Sequence, residues 1–245
     1  MKGMRKLSIT ATAMVAAAVM ALAGCGSSGT ADSAASGSSG SAKSDTFMAA
    51  GLFLLTGSMA YLGPANIATM KLAQKDINAA GGVLGKDIEI TSADTSDADH
   101  ADQNTSSAQS VLAKNPSVVV GPPSSSVVKN TYKQVTSAKV PMISSGATST
   151  AFSGLSDYFF RTIPPDTVQG AVLGQIIAQD GVKNLAIAVF NDEYGTSLRD
   201  VVVKTVEDAG VNVVYGEKDT FDPTETNFSS MVTAIKATNP DATLV

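Results

Sequence analysis

Residues 117–143 read SVVVGPPSSSVVKNTYKQVTSAKVPMI. A β-type run, Ser117–Val120, meets Gly121-Pro122-Pro123, which ends any regular element, and Ser124-Ser125-Ser126 then opens a helix before a second β-type run, Val140–Ile143. Strand, turn, helix and strand in so short a span form a βαβ unit, with two parallel strands and a crossover helix on one face. The same texture extends both ways. Further strands are predicted near Phe47–Leu54 and Asp87–Ser92 upstream, and near Asn184–Phe190, Val211–Glu217 and Ala242–Val245 downstream. Helical stripes fill the gaps: Ile67, Met70, Ala73 and Ile77; Leu198, Val201, Val202, Thr205 and Ala209; Phe228, Met231, Val232 and Ile235. Gly81-Gly82, Asn115-Pro116, Gly210 and Asn239-Pro240 are the stops that end these helices. The stripes are core, and no cofactor is implied.

The strand–helix series starts twice, once before and once after the Tyr158–Pro165 region, so the expected fold class is α/β with two doubly wound parallel-sheet lobes joined by a hinge. The reading assigns 46–156 to the N-terminal lobe, 157–165 to the hinge crossing and 166–245 to a partial C-terminal lobe, with Pro164-Pro165-Asp166 as the helix-opening signal. The chain stops within an apparent strand at Ala242-Thr243-Leu244-Val245, which makes the second lobe read as incomplete. In such a fold, ligands are expected where the carboxyl ends of strands and the N-termini of helices from both lobes face each other.

The first 45 residues carry a different message. Lys2, Arg5 and Lys6 precede an uncharged stretch, Leu7–Gly24, that is short and Ala-rich for a spanning helix but suits an export signal. It ends Leu22-Ala23-Gly24-Cys25, and this ending resembles the bacterial lipoprotein signal, which implies cleavage after residue 24 and lipidation of Cys25. Residues 26–44 follow with eight Ser, four Gly and four Ala, and no aliphatic or aromatic side chain to bury. The expectation is a signal peptide over 1–24, then a lipidated Cys and flexible tether over 25–45 that hold an exported domain near a membrane.

Composition removes several function classes. A net charge of −5, with basic residues scattered singly, gives no electrostatic footprint for nucleic acid. One Cys and one His exclude internal disulfides, Cys-rich metal sites and multi-His centres. His100 lies in a polar run, Asp94–Asp102, which starts a helix and lacks the glycine and closing glutamate of a calcium loop, so no metal site is expected. No triad or metal constellation assembles, and the adjacent Asp192 and Glu193 are expected to diverge rather than to act as an acid–base pair. The chain is expected not to be an enzyme.

Several segments then bring a family into view. Gly51–Gly57 (GLFLLTG), Ile77–Gly85 (INAAGGVLG), Val120-Gly121-Pro122 with Ser124-Ser125, Ile143-Ser144 with Ala147-Thr148, Phe160-Arg161-Thr162 with Pro165-Asp166, and Asn191–Gly195 (NDEYG) occur in an order and spacing that resemble leucine/isoleucine/valine-type periplasmic binding proteins. These are the substrate-binding lipoproteins of branched-chain amino-acid ABC transporters. The resemblance runs from Ala50 to Val245 and implies the type I periplasmic-binding fold, a small amino-acid ligand captured by lobe closure, and delivery to a membrane permease from the outer face of the cytoplasmic membrane or the periplasmic side. A sensor for an amide, urea or carboxylate on the same fold, and a lipid-anchored surface enzyme, stay open as alternatives.

The loop chemistry agrees with an anionic group. Gly121–Ser126 would present free backbone N–H groups and hydroxyls at a helix N-terminus, where the dipole favours a carboxylate. The resemblance places the ligand carboxylate at Ser125, with Ser124 beside it, and at Gly146, Ala147 and Thr148 in the next loop, where the Thr148 hydroxyl can donate to an anion or accept from an ammonium. It also implies a ring from Tyr194 closing over the ligand and Asp166 near the hinge holding the ammonium, a position equally suited to a helix cap. The aromatic that the family carries in the Thr56–Gly63 loop falls on Leu62, with Tyr61 beside it.

Overall fold

The computed structural model describes residues 46–245, all of which lie in one compact unit spanning Lys43–Val245. The export signal, Cys25 and the tether expected over 1–45 lie outside the described residues. The elements run β1 (Met48–Phe53), α1 (Gly63–Ala79), β2 (Glu89–Asp94), α2 (Ala101–Leu112), β3 (Val118–Val120), α3 (Ser125–Ser137), β4 (Met142–Ser144), β5 (Phe159–Arg161), α4 (Asp166–Gln179), β6 (Asn184–Ile187), α5 (Glu193–Asp208), β7 (Asn212–Tyr215), α6 (Ser229–Ala237) and β8 (Ala242–Leu244). Two sheets result, one ordered β2-β1-β3-β4-β5 and the other β7-β6-β8, and every pairing within them is parallel. The parallel-sheet α/β architecture expected from the alternating texture is therefore present.

Strand β1 is buried on both faces, which is why its sequence is a continuous apolar run rather than an alternation. Ala50 and Leu52 turn to one side, where Val119, Val128, Val135 and Met142 complete the main core of the first sheet; Ala49 and Phe53 turn to the other, against Met70 of α1. In the second sheet Leu185 and Ile187 pack on Val202 and Val206 of α5, while Ala186 and Ala188 meet Ile235 of α6. At the end of α1 the chain reverses through Gly81 and Gly82 at φ of 101° and 71°, with the Gly82 amide returning to the Ile77 carbonyl at 2.9 Å.

Helices α4 and α5 cross unusually closely. A Cβ added to Gly170 would lie 2.7 Å from Cβ of Val201, and one added to Gly174 would lie 2.7 Å from Cβ of Thr205, so the Gly-xxx-Gly pair lets the two backbones approach. This contact fixes α5 on the second sheet and with it the direction of the α5 N-terminus.

Two sequence expectations are corrected. The expected hinge crossing contains β5, which pairs in parallel with β4 as the edge strand of the first sheet, Phe159 opposite Met142 and Arg161 opposite Ser144. Three residues followed by two prolines give too short a pattern to read as a strand, and only the neighbouring strand makes it one. In α1 the inward face is not the Ile67-Met70-Ala73-Ile77 stripe: Ala73 and Ile77 are exposed, and Gln74 and Asn78 turn inward instead. Asn78 accepts from the Ile88 amide at 2.8 Å, and Gln74 Nε2 donates to the Ile88 carbonyl at 3.0 Å, so two amide side chains dock the helix on the segment entering β2.

Candidate functional site

The loops after β3 and β4 meet at the carboxyl edge of the first sheet. After β3 the chain turns at Gly121 (φ 93°) and enters α3, whose N-cap Ser124 accepts loosely from the Val127 amide at 3.5 Å. Ser144, the last residue of β4, ties the second loop to the first: its hydroxyl donates to the Pro122 carbonyl at 2.6 Å and accepts from the Ala147 amide at 3.0 Å. Gly146 is needed where these loops touch, because a Cβ there would be forced into the Pro123 carbonyl. Its small size thus serves packing between loops. Arg161 on β5 grips the second loop from outside, donating from Nη1 to the Ser149 carbonyl at 2.8 Å and from Nη2 to the Ser153 hydroxyl at 2.8 Å.

Six of the seven ligand-site residues expected from the sequence come together here: Ser124, Ser125, Gly146, Ala147, Thr148 and Asp166. Ser125 Oγ accepts from the Ser149 amide at 3.3 Å, which joins the α3 N-terminus to the β4 loop. The Asp166 amide donates to the Thr148 carbonyl at 2.8 Å, which brings the start of α4 to the same place. Asp166 does not cap its helix: Pro165 is the N-cap residue, and no side-chain hydrogen bond closes the first turn. Asp166 is 0% exposed, yet neither of its carboxyl oxygens has a hydrogen-bond partner among the described residues, and the same holds for the hydroxyl of Thr148 at 4% exposure. Buried polar groups are almost always paired in folded proteins, so unpaired carboxyl oxygens and an unpaired hydroxyl on two segments joined by a backbone hydrogen bond mark a place that a ligand's polar atoms would satisfy.

Tyr194, the seventh, stands apart from this cluster. It lies in the first turn of α5, 39% exposed, with its hydroxyl accepting from Gln169 Nε2 at 3.1 Å. Its ring borders a second-lobe cavity of about 350 Å³ lined by Phe190, Leu198, Phe221 and Leu244, whereas the six clustered residues do not line that cavity. The apolar cavity is thus separate from the polar cluster, and the cluster carries the chemistry.

Sequence reasoning missed the residues that connect the two lobes. Glu193, set aside as a diverging loop carboxylate, is the first residue of α5 and reaches across: Ser149 Oγ donates to its Oε1 at 2.7 Å, Lys129 Nζ to its Oε2 at 2.8 Å, and its own amide donates to Ser126 Oγ at 3.1 Å. Ser197, one turn on, accepts from the Thr150 amide at 3.0 Å. The available signal was a carboxylate opening the helix after β6, opposite a serine-rich helix start. Next to it, Asp192 caps α5 by accepting from the Gly195 amide at 2.6 Å. Burial pushes the Asp192 carboxyl above the usual carboxylate range, the neighbouring charges of Glu193 and Asp99 add to this, and the amides of Gly195 and Tyr194 pull it back only in part.

The Thr56–Gly63 loop is held by carboxylates of the first lobe. Asp94 accepts from the amides of Leu55, Thr56 and Ser96 and from the Thr56 hydroxyl, at 2.7–3.2 Å. Asp97 accepts from the amide and hydroxyl of Ser58, and His100 Nδ1 lies 2.7 Å from its other oxygen. Tyr61 is 74% exposed on this loop. No group of three or more His, Cys, Asp or Glu that could hold a metal, and no helix long and apolar enough to cross a membrane, occurs among the described residues.

Two parallel sheets, joined where the N-termini of α3 and α5 meet through hydrogen bonds made by serine hydroxyls, define a two-lobed α/β protein. The chain belongs to the periplasmic binding protein family, whose profile matches residues 48–245. A leucine-, isoleucine-, valine-, threonine- and alanine-binding protein of Pseudomonas aeruginosa is 32% identical over 196 residues, covering 79% of this chain and 51% of the relative. The chain spans about half the length of the curated relatives it matches. Among solved structures, the substrate binding protein of a branched-chain amino acid transporter from Streptococcus pneumoniae, in complex with isoleucine, is similar with a TM-score of 0.70 at 27% identity, over 81% of this chain and 56% of that one. A leucine binding protein from Thermotoga maritima shares the fold, with a TM-score of 0.73 at 18% identity over 81% and 55% of the two chains.

Proposed function

We propose that this chain is the solute receptor of an ABC importer, which captures a small amino acid, of the branched-chain class, by closing its lobes and delivers it to a membrane permease. The observation that carries this reading is two buried polar groups without partners among the described residues, the Thr148 hydroxyl and the Asp166 carboxyl, on segments joined by a backbone hydrogen bond, the first in the loop that Ser125 ties to the N-terminus of α3. An α-amino acid brings the complementary set. Its carboxylate suits the α3 N-terminus at Ser124 and Ser125 and the loop Gly146-Ala147-Thr148, where helix dipole and hydroxyls favour negative charge. Its ammonium suits Asp166 and the Thr148 oxygen. The similarity to branched-chain amino acid binding proteins supports the same ligand class.

In this reading the first sheet with its helices, β5 included, and residues 166–245 are the two jaws, connected by the segment between β5 and α4. Because Ser125, Thr148 and Asp166 are buried where the lobes meet, a ligand reaches them only in an open state, and its contacts to both lobes then favour the closed one. Export, with a lipid anchor at Cys25 and a tether to 45, would keep the receptor within reach of its permease. Thermal-shift and calorimetric titration with leucine, isoleucine, valine and alanine, beside acetamide, urea and benzoate, tests the proposal, because a ligand of the native state alone raises its melting temperature. Stabilisation by the aliphatic amino acids is expected; a response only to the amides or to benzoate would sink the amino-acid reading.

A further inference from the structure

The hydrogen bonds described above between the first lobe and α5 converge on one helix face. Glu193 and Ser197 are four residues apart and so share a face of α5. Against it stand Ser126 and Lys129 of α3 and Ser149 and Thr150 of the β4 loop. Glu193 makes three of these contacts through three different atoms. Its charge matters as well: the N-termini of α3 and α5 approach each other here, and both carry the positive end of a helix dipole, so their juxtaposition is favoured by negative charge at the junction, which Glu193 supplies beside the Asp192 cap. The Glu193 carboxylate lies at that junction and takes the Lys129 ammonium as well.

We propose that Glu193 is the positioning residue of lobe closure: it latches α5 onto α3 and the β4 loop, and so sets how much of the protein is closed before any solute arrives. Replacing the carboxylate by a neutral amide of the same shape removes the charge that faces the α3 N-terminus and the Lys129 ammonium, leaving only the Asp192 cap at the start of α5, and the equilibrium moves toward the open form. Glu193 does not satisfy Thr148 Oγ1 or Asp166, so it acts beside the ligand groups and not in their place. The Lys129 side chain is 65% exposed, so its ion pair is the weaker part of the latch; Ser149, fully buried, and the helix ends are the stronger.

The latch concerns the closure that the proposed function invokes, but one arm of its test does not depend on the ligand. Small-angle scattering of the full chain without added solute should give a larger radius of gyration for Glu193→Gln than for the parent, with circular dichroism showing the same secondary structure in both. In stopped-flow experiments with leucine, Glu193→Gln should speed dissociation about tenfold, the low end for losing a hydrogen bond to a charged group, with association little altered. Lys129→Met should speed it about twofold, and the double variant should be no faster than Glu193→Gln alone. An unchanged radius of gyration in Glu193→Gln, or additive effects in the double variant, would overturn the latch. If leucine does not bind at all, the ligand reading fails while the scattering comparison still decides the latch.

Discussion

Replacing Thr148 by valine separates a structural hydroxyl from a ligand-binding one, because the two roles give opposite signs. The side chain keeps its shape and loses only Oγ1, an atom buried without a partner among the described residues. A buried hydroxyl left unpaired costs about 1–3 kcal/mol relative to solution, and the methyl that replaces it costs nothing comparable, so Thr148→Val should stabilise the protein without solute by about 1 kcal/mol. For a chain of this size that is a rise of about 2–4 °C in Tm. With solute the sign reverses: the hydroxyl bonds a charged group of the amino acid, an interaction of about 1.5–3 kcal/mol, so affinity for leucine should fall about 10- to 100-fold. Scanning calorimetry of the free protein and titration calorimetry with leucine measure the two numbers on one sample. A lower Tm with unchanged affinity would mean that Oγ1 is already satisfied, and the argument from unpaired atoms would collapse; a higher Tm with unchanged affinity would remove Thr148 from the site. Ser125→Ala is the contrast, since its hydroxyl accepts the Ser149 amide, and losing it should lower both Tm and affinity.

Three other outcomes follow from the packing, the loop carboxylates and the N-terminal segment. Gly174→Ala should destabilise the protein by about 1–3 kcal/mol in denaturant unfolding, although alanine is the better helix former, because its Cβ would lie 2.7 Å from Cβ of Thr205; a gain in stability would show that α4 and α5 separate freely. Asp94 is subject to burial, which raises its carboxyl, but bonds from the Ser96 amide, the Thr56 hydroxyl and the Leu55 and Thr56 amides outweigh burial and hold it below the ordinary value, as bonds from His100 and Ser58 do for Asp97. A depressed folded value means that this contribution is fully present above the unfolded value of about 3.9 and is lost as pH falls through the folded one. Amide exchange at Leu55, Thr56 and Ser58, corrected for intrinsic rates, should therefore accelerate below about pH 4, and a flat profile down to pH 2 would contradict the assignment. Cys25→Ala should block processing and release the protein from membranes in a bacterial host, read by mass spectrometry of the mature N-terminus; a mature form with an unmodified Cys25 would remove the anchor.

The sequence by itself determined the alternation of strands and helices, the parallel sheets that follow from it, and the two loops that hold most of the candidate site. These features are legible because their causes are local: apolar runs buried on both faces, glycines at positive φ ending α1, and serines opening α3 straight after a strand. It also pointed to Ser124, Ser125, Gly146, Ala147, Thr148 and Asp166 through the order of their motifs, though not to what each does. Tertiary structure decided the rest. Whether Gly146 faces a ligand or the Pro123 carbonyl, whether Asp166 caps a helix or lies unpaired, and whether the Thr148 hydroxyl has a partner depend on neighbours that no window of sequence contains. Strand β5 exists because β4 lies beside it, and α1 turns Gln74 and Asn78 inward because the Ile88 backbone is there to receive them. Glu193 is the clearest case, since in sequence it is one acidic residue at a helix start, and its bonds to Lys129 and Ser149 span 64 and 44 positions. Local propensity sets which elements form; only the packing of distant elements brings a carboxylate from one lobe between two helix ends, because electrostatics acts on distance in space and not along the chain.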